Sequence, residues 1–276
     1  AALVTLVTAL AVHVAFSPTA AGRPTLFLAL GVPYAAFAAL AIFRRRRALA
    51  ADAPGAPSAR NALGASNAPG TADPDEAPGA ADPDEAPGPL DASDASEDRE
   101  ARNAPRAGGV SLGLRSGDLT LGFMLTLGLG LASALGRRVL APPGSPTELW
   151  LVRIYLQFGE VPREKVAYVA TAAAIVVVAL LEEITWRGLV QSLLEARFGP
   201  RLAWPLGALL FSAAHLPTLW RLEAPGLGPN PLVMLAALGC GGVWGFVAAR
   251  LGRLGPSLAS HALYTYGLTM AFPLWP

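Results

Sequence analysis

The stretch VAYVATAAAIVVVALLEEITWRG, Val166 to Gly188, decides how this sequence is read. From Val166 to Leu181 it carries no charge, and an uncharged apolar helix of about this length is what crosses the roughly 30 Å hydrocarbon core of a bilayer. Glu182, Glu183 and Arg187 then follow within one and a half helical turns. On insertion scales an Asp, Lys or Arg at a helix centre costs about 2.5–3.5 kcal/mol. If Glu behaves similarly, the three groups together cost on the order of 8–10 kcal/mol at mid-depth. Internal pairing must offset that cost, and ionisable groups inside a membrane are functional candidates by default. Glu183 and Arg187 are four residues apart and share a helix face, the spacing of an ion pair. Glu182 points about 100° away, free to face a cavity and act as a general base. The alternative is the cytoplasmic end of a helix carrying ordinary interfacial charges.

Outward from this stretch, further apolar blocks recur: Ala2–Phe16, Leu26–Phe43, Leu119–Leu135, Leu202–Leu216, Leu232–Ala249 and Leu258–Leu274. With Val166–Leu181 these make seven expected spans. Leu149–Phe158 is too short to cross and is interrupted by Arg153, so it is expected to lie at the interface, as a possible eighth helix. Hydrophobic residues are 53% of the 276 and charged residues only 15%, well below the quarter usual in soluble domains. The expected fold class is all-α, a polytopic transmembrane helical bundle.

Residues 48–112 are a different polymer, rich in Ala, Pro, Gly, Asp and Glu. They contain a tandem repeat, ADPDEAPG at Ala72–Gly79 and again at Ala81–Gly88. Such a segment cannot bury enough apolar surface to offset its ordering entropy and is expected to be a disordered acidic linker. The expected organisation is therefore 1–47 as two N-terminal spans, 48–112 as linker and 113–276 as the functional domain. Arg44 to Arg47 close the second span and mark its end as cytoplasmic, although Arg137, Arg138, Arg153, Arg163 and Lys165 then fall outside. The first segment also admits a signal-peptide reading, but it lacks a visible basic region and a second apolar block follows at once. A net charge of +1 gives no nucleic-acid footprint, and the single Cys240 excludes a cysteine-based zinc site.

Two histidines add to the charged stretch. Phe211 and His215 share a face of the fifth expected span, and His261 and Thr265 share a face of the seventh. His13, alone in the first span, reads as packing. Imidazole and carboxylate groups converging from separate spans can activate water, or hold a metal that does so.

In this combination the sequence resembles the CAAX-protease and bacteriocin-processing family of intramembrane endopeptidases, the CPBP or Abi family. Glu182, Glu183 and Arg187 match its Glu-Glu-x-x-x-Arg motif, and Phe211 and His215 match Phe-x-x-x-His. His261 matches the third motif, with Thr265 where Asn is common. The resemblance covers roughly Leu119 to Trp275 and leaves out the first two spans and the linker.

The resemblance implies peptide-bond hydrolysis near the C-terminus of a membrane-anchored or lipid-modified protein, with a peptide or protein substrate, the bilayer as surroundings and no nucleic acid. Glu182 would activate water with help from His215, Glu183 would pair with Arg187, and His261 would stabilise the oxyanion with Thr265. Losing one oxyanion donor can cost about 10²–10³ in rate, so Thr265 puts full activity in question. No cofactor is required by this scheme; a zinc ion, if used, would sit on Glu182, His215 and His261. Heavy use of Ala, Gly, Pro and Arg suggests a GC-rich bacterium, hence an inner-membrane location and a myxosortase-like role. The competing expectation is a catalytically weak or inactive scaffold or immunity-type protein of the same fold.

Overall fold

The computed structural model describes residues 1–51, 111 and 113–274. In chain order the helices are α1 (Ala2–Ala15), α2 (Pro24–Ala51), α3 (Asp118–Leu140), α4 (Glu148–Phe158), α5 (Lys165–Glu183), α6 (Gln191–Phe198), α7 (Pro200–Ala214), α8 (Thr218–Arg221), α9 (Leu232–Leu251) and α10 (Gly255–Tyr266). A π-helical turn, Ile184–Val190, joins α5 to α6, and a second, Gly267–Ala271, ends α10. The protein is an all-helical, multi-pass membrane protein.

Among the described residues, five helical segments are long and apolar enough to cross a bilayer: Pro24–Ala50, Asp118–Leu140, Lys165–Phe198, Pro200–Arg221 and Leu232–Leu251. The first and last of the seven expected segments form shorter helices, α1 at 14 residues and α10 at 12. Their outer faces are apolar all the same. Leu3, Leu6 and Leu10 on α1, and Leu263 on α10, are exposed. A row of exposed leucines is expected where the surrounding solvent is hydrocarbon.

Ala1–Arg45 and Gly109–Pro276 form one compact unit. Residues 46–51 continue α2. Most of the expected acidic linker lies outside the described residues. At its far end Ser111 pairs with the α9–α10 turn, its amide donating to Gly252 and its carbonyl accepting from Leu254.

Local chemistry explains where the site-bearing helices begin. Glu164 caps α5, its carboxylate accepting from the amides of Val166 (3.0 Å) and Ala167 (2.7 Å). Pro200 opens α7 with its fixed φ, where a missing amide costs nothing. Helix α3 then lies parallel to α10 and in step with it. Asp118 binds Arg253 at 2.8 Å, Thr126 donates to the Ser260 carbonyl at 3.2 Å, and the Ser133 and Tyr264 hydroxyls are 2.7 Å apart. Gly122 permits this contact, since a Cβ there would come within 2.6 Å of the Ala259 Cβ. An alternating chain of seven segments requires its third and seventh to run the same way, and these two do. The principal core gathers Val4, Tyr34, Trp186, Leu189, Val190 and Phe211, from α1, α2, α7 and the Ile184–Val190 turn.

Candidate active site

The helix that carries Glu182 does not end at Arg187. It runs from Lys165 to Phe198, 34 residues without a break. At 1.5 Å per residue Glu182 lies about 25 Å from its start, near the middle of the segment and far from either end. Glu182 therefore does not stand at the end of its helix. Directly after Glu183 the backbone widens into the Ile184–Val190 π turn, a feature common at functional sites because it redirects the side chains around it.

The division between the two carboxylates is plain. Glu183 is sealed, its side chain 0% exposed, whereas that of Glu182 is 13% exposed. Arg187, itself buried, places Nη1 3.3 Å from Glu183 Oε2. Its Nη2 donates to the Gly241 carbonyl at 2.8 Å. The guanidinium also lies over two rings, 5.0 Å from the centre of Phe211 and 5.7 Å from that of Trp244. Gly241 makes room for this packing: a Cβ there would sit 2.7 Å from Phe211 Cδ1 and 3.4 Å from Arg187 Nη2.

His261 joins the carboxylates. Its Nε2 is 3.4 Å from Glu182 Oε2 and its Nδ1 is 3.2 Å from Glu183 Oε2. Trp244 stacks on the ring, centroids 4.0 Å apart at 21°, and is itself fixed by donating Nε1 to Ser260 Oγ at 3.1 Å. The remaining oxygen of Glu182, Oε1, accepts the Tyr34 hydroxyl at 2.5 Å. Tyr34 belongs to α2 and is fully buried; its carbonyl receives the Thr185 hydroxyl at 3.3 Å. One residue therefore ties the second helix to the centre of the fifth.

Four of the six residues singled out from sequence thus meet: Glu182, Glu183, Arg187 and His261. The other two stand apart from that contact set. His215 caps α7, with Nδ1 2.9 Å from the Phe211 carbonyl and its ring edge-on to Phe211 at 4.8 Å. Among the described contacts none links it to Glu182 or His261. Thr265 lies one turn beyond His261 and lines a neighbouring cavity. Tyr34, Trp244 and Gly241 were not anticipated. Tyr34 had a signal, as the lone phenol in an otherwise apolar segment.

The cavity holds about 420 Å³ and lies between α3, α4, α9 and α10. Its walls are mostly apolar, including Leu151, Ile154, Phe158 and Val233, with Cys240, Tyr264 and Thr265 on one side. That volume falls within the usual range of about 300–1,000 Å³ for small-ligand sites. Cys240 adjoins Gly241, the acceptor for Arg187, so the cavity reaches within one residue of the charged cluster.

Among the described residues no three His, Cys, Asp or Glu side chains are grouped closely enough to hold a metal ion. Glu182, His215 and His261 do not form a ligand set as they stand, because His215 faces Phe211.

Residues 164–267 match the family model described as type II CAAX prenyl endopeptidase Rce1-like. No curated protein and no solved structure matches the chain. The matched segment begins at the cap of α5 and ends just past Thr265, enclosing the Glu-Glu-Arg stretch, Phe211, His215, Trp244 and His261. Through this segment the chain is similar to the CAAX protease (CPBP) family of membrane endopeptidases.

Proposed function

We propose that the protein is an intramembrane endopeptidase hydrolysing a peptide bond near the C-terminus of a membrane-anchored or lipid-modified protein, with water activated by Glu182. The observation that carries this reading is the unequal pair of carboxylates. Glu183 is closed in and neutralised by Arg187, while Glu182 keeps some access and is steered by Tyr34 on one oxygen and His261 on the other. A base needs this combination of orientation and reach.

In the proposed reaction Glu182 takes a proton from water as the oxygen attacks the peptide carbonyl. The tetrahedral oxyanion is stabilised by an N–H of His261, whose ring is set by Glu183 and Trp244. Glu182 then returns the proton to the leaving nitrogen as the C–N bond breaks. In this reading His261 takes the place beside the base that the family resemblance gives to His215. His215 supports the site indirectly, against the Phe211 ring that covers Arg187. The apolar cavity beside Thr265 accommodates substrate.

The test compares native C-termini of the membrane proteome, mapped by mass spectrometry, in cells carrying the intact protein or Glu182→Gln. A general base contributes about 10²–10⁴ in rate, so the variant should leave one set of proteins with an uncut C-terminal segment. Identical termini with both proteins expressed would sink the peptidase reading. Thr265, where the family commonly has Asn, supports a second reading, a non-catalytic scaffold, and identical termini would favour it.

A further inference from the structure

The Tyr34 hydroxyl donates to Glu182 Oε1 at 2.5 Å, which spends the one proton a phenol has. Two further side chains face the same hydroxyl, Thr8 of α1 and Trp186 of the Ile184–Val190 turn. Thr8, Tyr34 and Trp186 are each 1% exposed, so no solvent competes for these groups. Val4, one turn before Thr8, packs in the same core cluster as Tyr34 and Trp186. Helix α1, helix α2 and the π turn therefore meet behind the candidate base.

Thr8 differs from the other helical threonines. The hydroxyls of Thr5, Thr126, Thr185 and Thr269 each donate to the carbonyl four residues earlier, the local bond open to a hydroxyl in a helix. The Thr8 hydroxyl does not. Neither it nor Trp186 Nε1 has a hydrogen bond of ordinary length among the described residues. Leaving a buried donor unmatched is costly, and the acceptor that both face is the Tyr34 oxygen. An indole N–H can only donate, and Tyr34 has no second proton to offer Thr8. The chemistry permits one direction: Thr8 and Trp186 give to Tyr34, and Tyr34 gives to Glu182.

Resting on the reading of Glu182 as the base, we propose that Thr8 and Trp186 are positioning residues that act on Glu182 through the Tyr34 hydroxyl. Accepting from both fixes the rotation of that hydroxyl and keeps its proton aimed at Glu182 Oε1. In a low-dielectric interior each bond of such a chain polarises and strengthens the next. Glu182 Oε2, beside His261, is then the oxygen left to take a proton from water. Helix α1 lies outside the matched segment, yet through Thr8 it becomes a working part of the site.

The experiment reads the carboxylate itself, so it does not depend on turnover. In pH-difference infrared spectra of the full chain in nanodiscs, the Glu182 band is the one lost in Glu182→Gln. Thr8→Val keeps the side chain's shape and removes its hydroxyl; this variant, or Thr8→Ala should valine not fold, should shift that band. Thr8→Ser should restore it, and Trp186→Phe should shift it as Thr8→Val does. In a Tyr34→Phe background Thr8→Val should add no further shift, because the link to Glu182 is already cut. The rate at which membrane-protein C-termini are cut should fall about threefold to tenfold in Thr8→Val, the worth of one ordinary hydrogen bond, and no further in Tyr34→Phe. An unshifted band in Thr8→Val or Trp186→Phe would overturn the assignment. So would a shift of equal size with and without the Tyr34 hydroxyl, which would make Thr8 a packing residue. Cutting by the wild type with an unshifted band in the variants would sink this chain alone. The expected shifts in a protein that cuts nothing would sink the peptidase reading and leave the chain from Thr8 to Glu182 standing.

Discussion

The charged cluster around Glu183 and the cavity beside it occupy adjacent parts of one helical bundle and are built on opposite plans. In the cluster, Glu182, Glu183, Arg187 and His261 come from two helices and are bonded to one another, backed by Tyr34, Phe211 and Trp244. In the cavity the walls are mostly apolar, and Arg137, the cation among its described lining residues, pairs with Glu148 at 3.3 Å. The first arrangement leaves little freedom, because an unpaired charge in a low-dielectric interior is costly. The second leaves space, because apolar walls make no directional demands. Chemistry is fixed by the cluster, and what can reach it is governed by the cavity.

The largest test of this contrast is Arg187→Met. It strands Glu183, fully buried, without its counter-charge, a change that costs about 3–5 kcal/mol when one partner of a buried pair is removed. The variant should fail to give monodisperse protein or should melt far below wild type in detergent. A well-folded Arg187→Met with normal stability would mean that the cluster is not held together by pairing.

Tyr34→Phe tests whether the cluster extends beyond the family segment. Hydrogen bonds to charged groups contribute roughly 1.5–3 kcal/mol, so loss of the 2.5 Å bond to Glu182 should lower kcat about tenfold or more. Stability should change much less than rate, as the ring and its packing remain. An unaltered kcat would remove Tyr34 from the machinery and confine the site to residues 164–267.

Thr265→Asn probes the border between the two regions, one turn from His261 and on the cavity wall. If a longer donor improves oxyanion contact, kcat should rise several-fold, short of the 10²–10³ of a complete oxyanion donor. A change confined to KM would instead assign the residue to the cavity.

The smallest effect is expected outside both regions, at Glu164. The Ala167 and Val166 amides hold its carboxyl below the ordinary value of 4.5. A depressed folded-state value means that the cap stabilises α5 fully above about pH 4.5 and loses this as pH falls through the lowered value. Glu164→Gln should melt slightly below wild type at pH 7, and the difference should vanish in acid. A difference that persists there would point to side-chain geometry, with charge playing no part.

Much of the fold was legible because membrane helices announce themselves by length and composition alone. The apolar blocks predicted the helices, including α4 at Leu149–Phe158, which sequence already placed at the interface. What hydropathy missed was continuity. Glu182, Glu183 and Arg187 looked like the end of a span, yet the helix carries on to Phe198, because internal pairing lets charges sit in mid-helix. The i, i+4 pairing of Glu183 with Arg187 followed from helical geometry, and the structure has it at 3.3 Å.

The sequence by itself determined which residues carry charge into the bundle, which helix faces they share, and the family that residues 164–267 resemble. Those properties follow from local periodicity and motif spacing, which need no knowledge of the partner helices. Only the tertiary structure decided which histidine meets the carboxylates, that Tyr34 from outside the matched segment grips Glu182, and that Arg137 ends an apolar cavity. Such choices depend on how helices far apart in sequence are rotated and set in register. That register is fixed by close contacts such as Gly122 against Ala259 and Gly241 against Phe211, and no single helix encodes them.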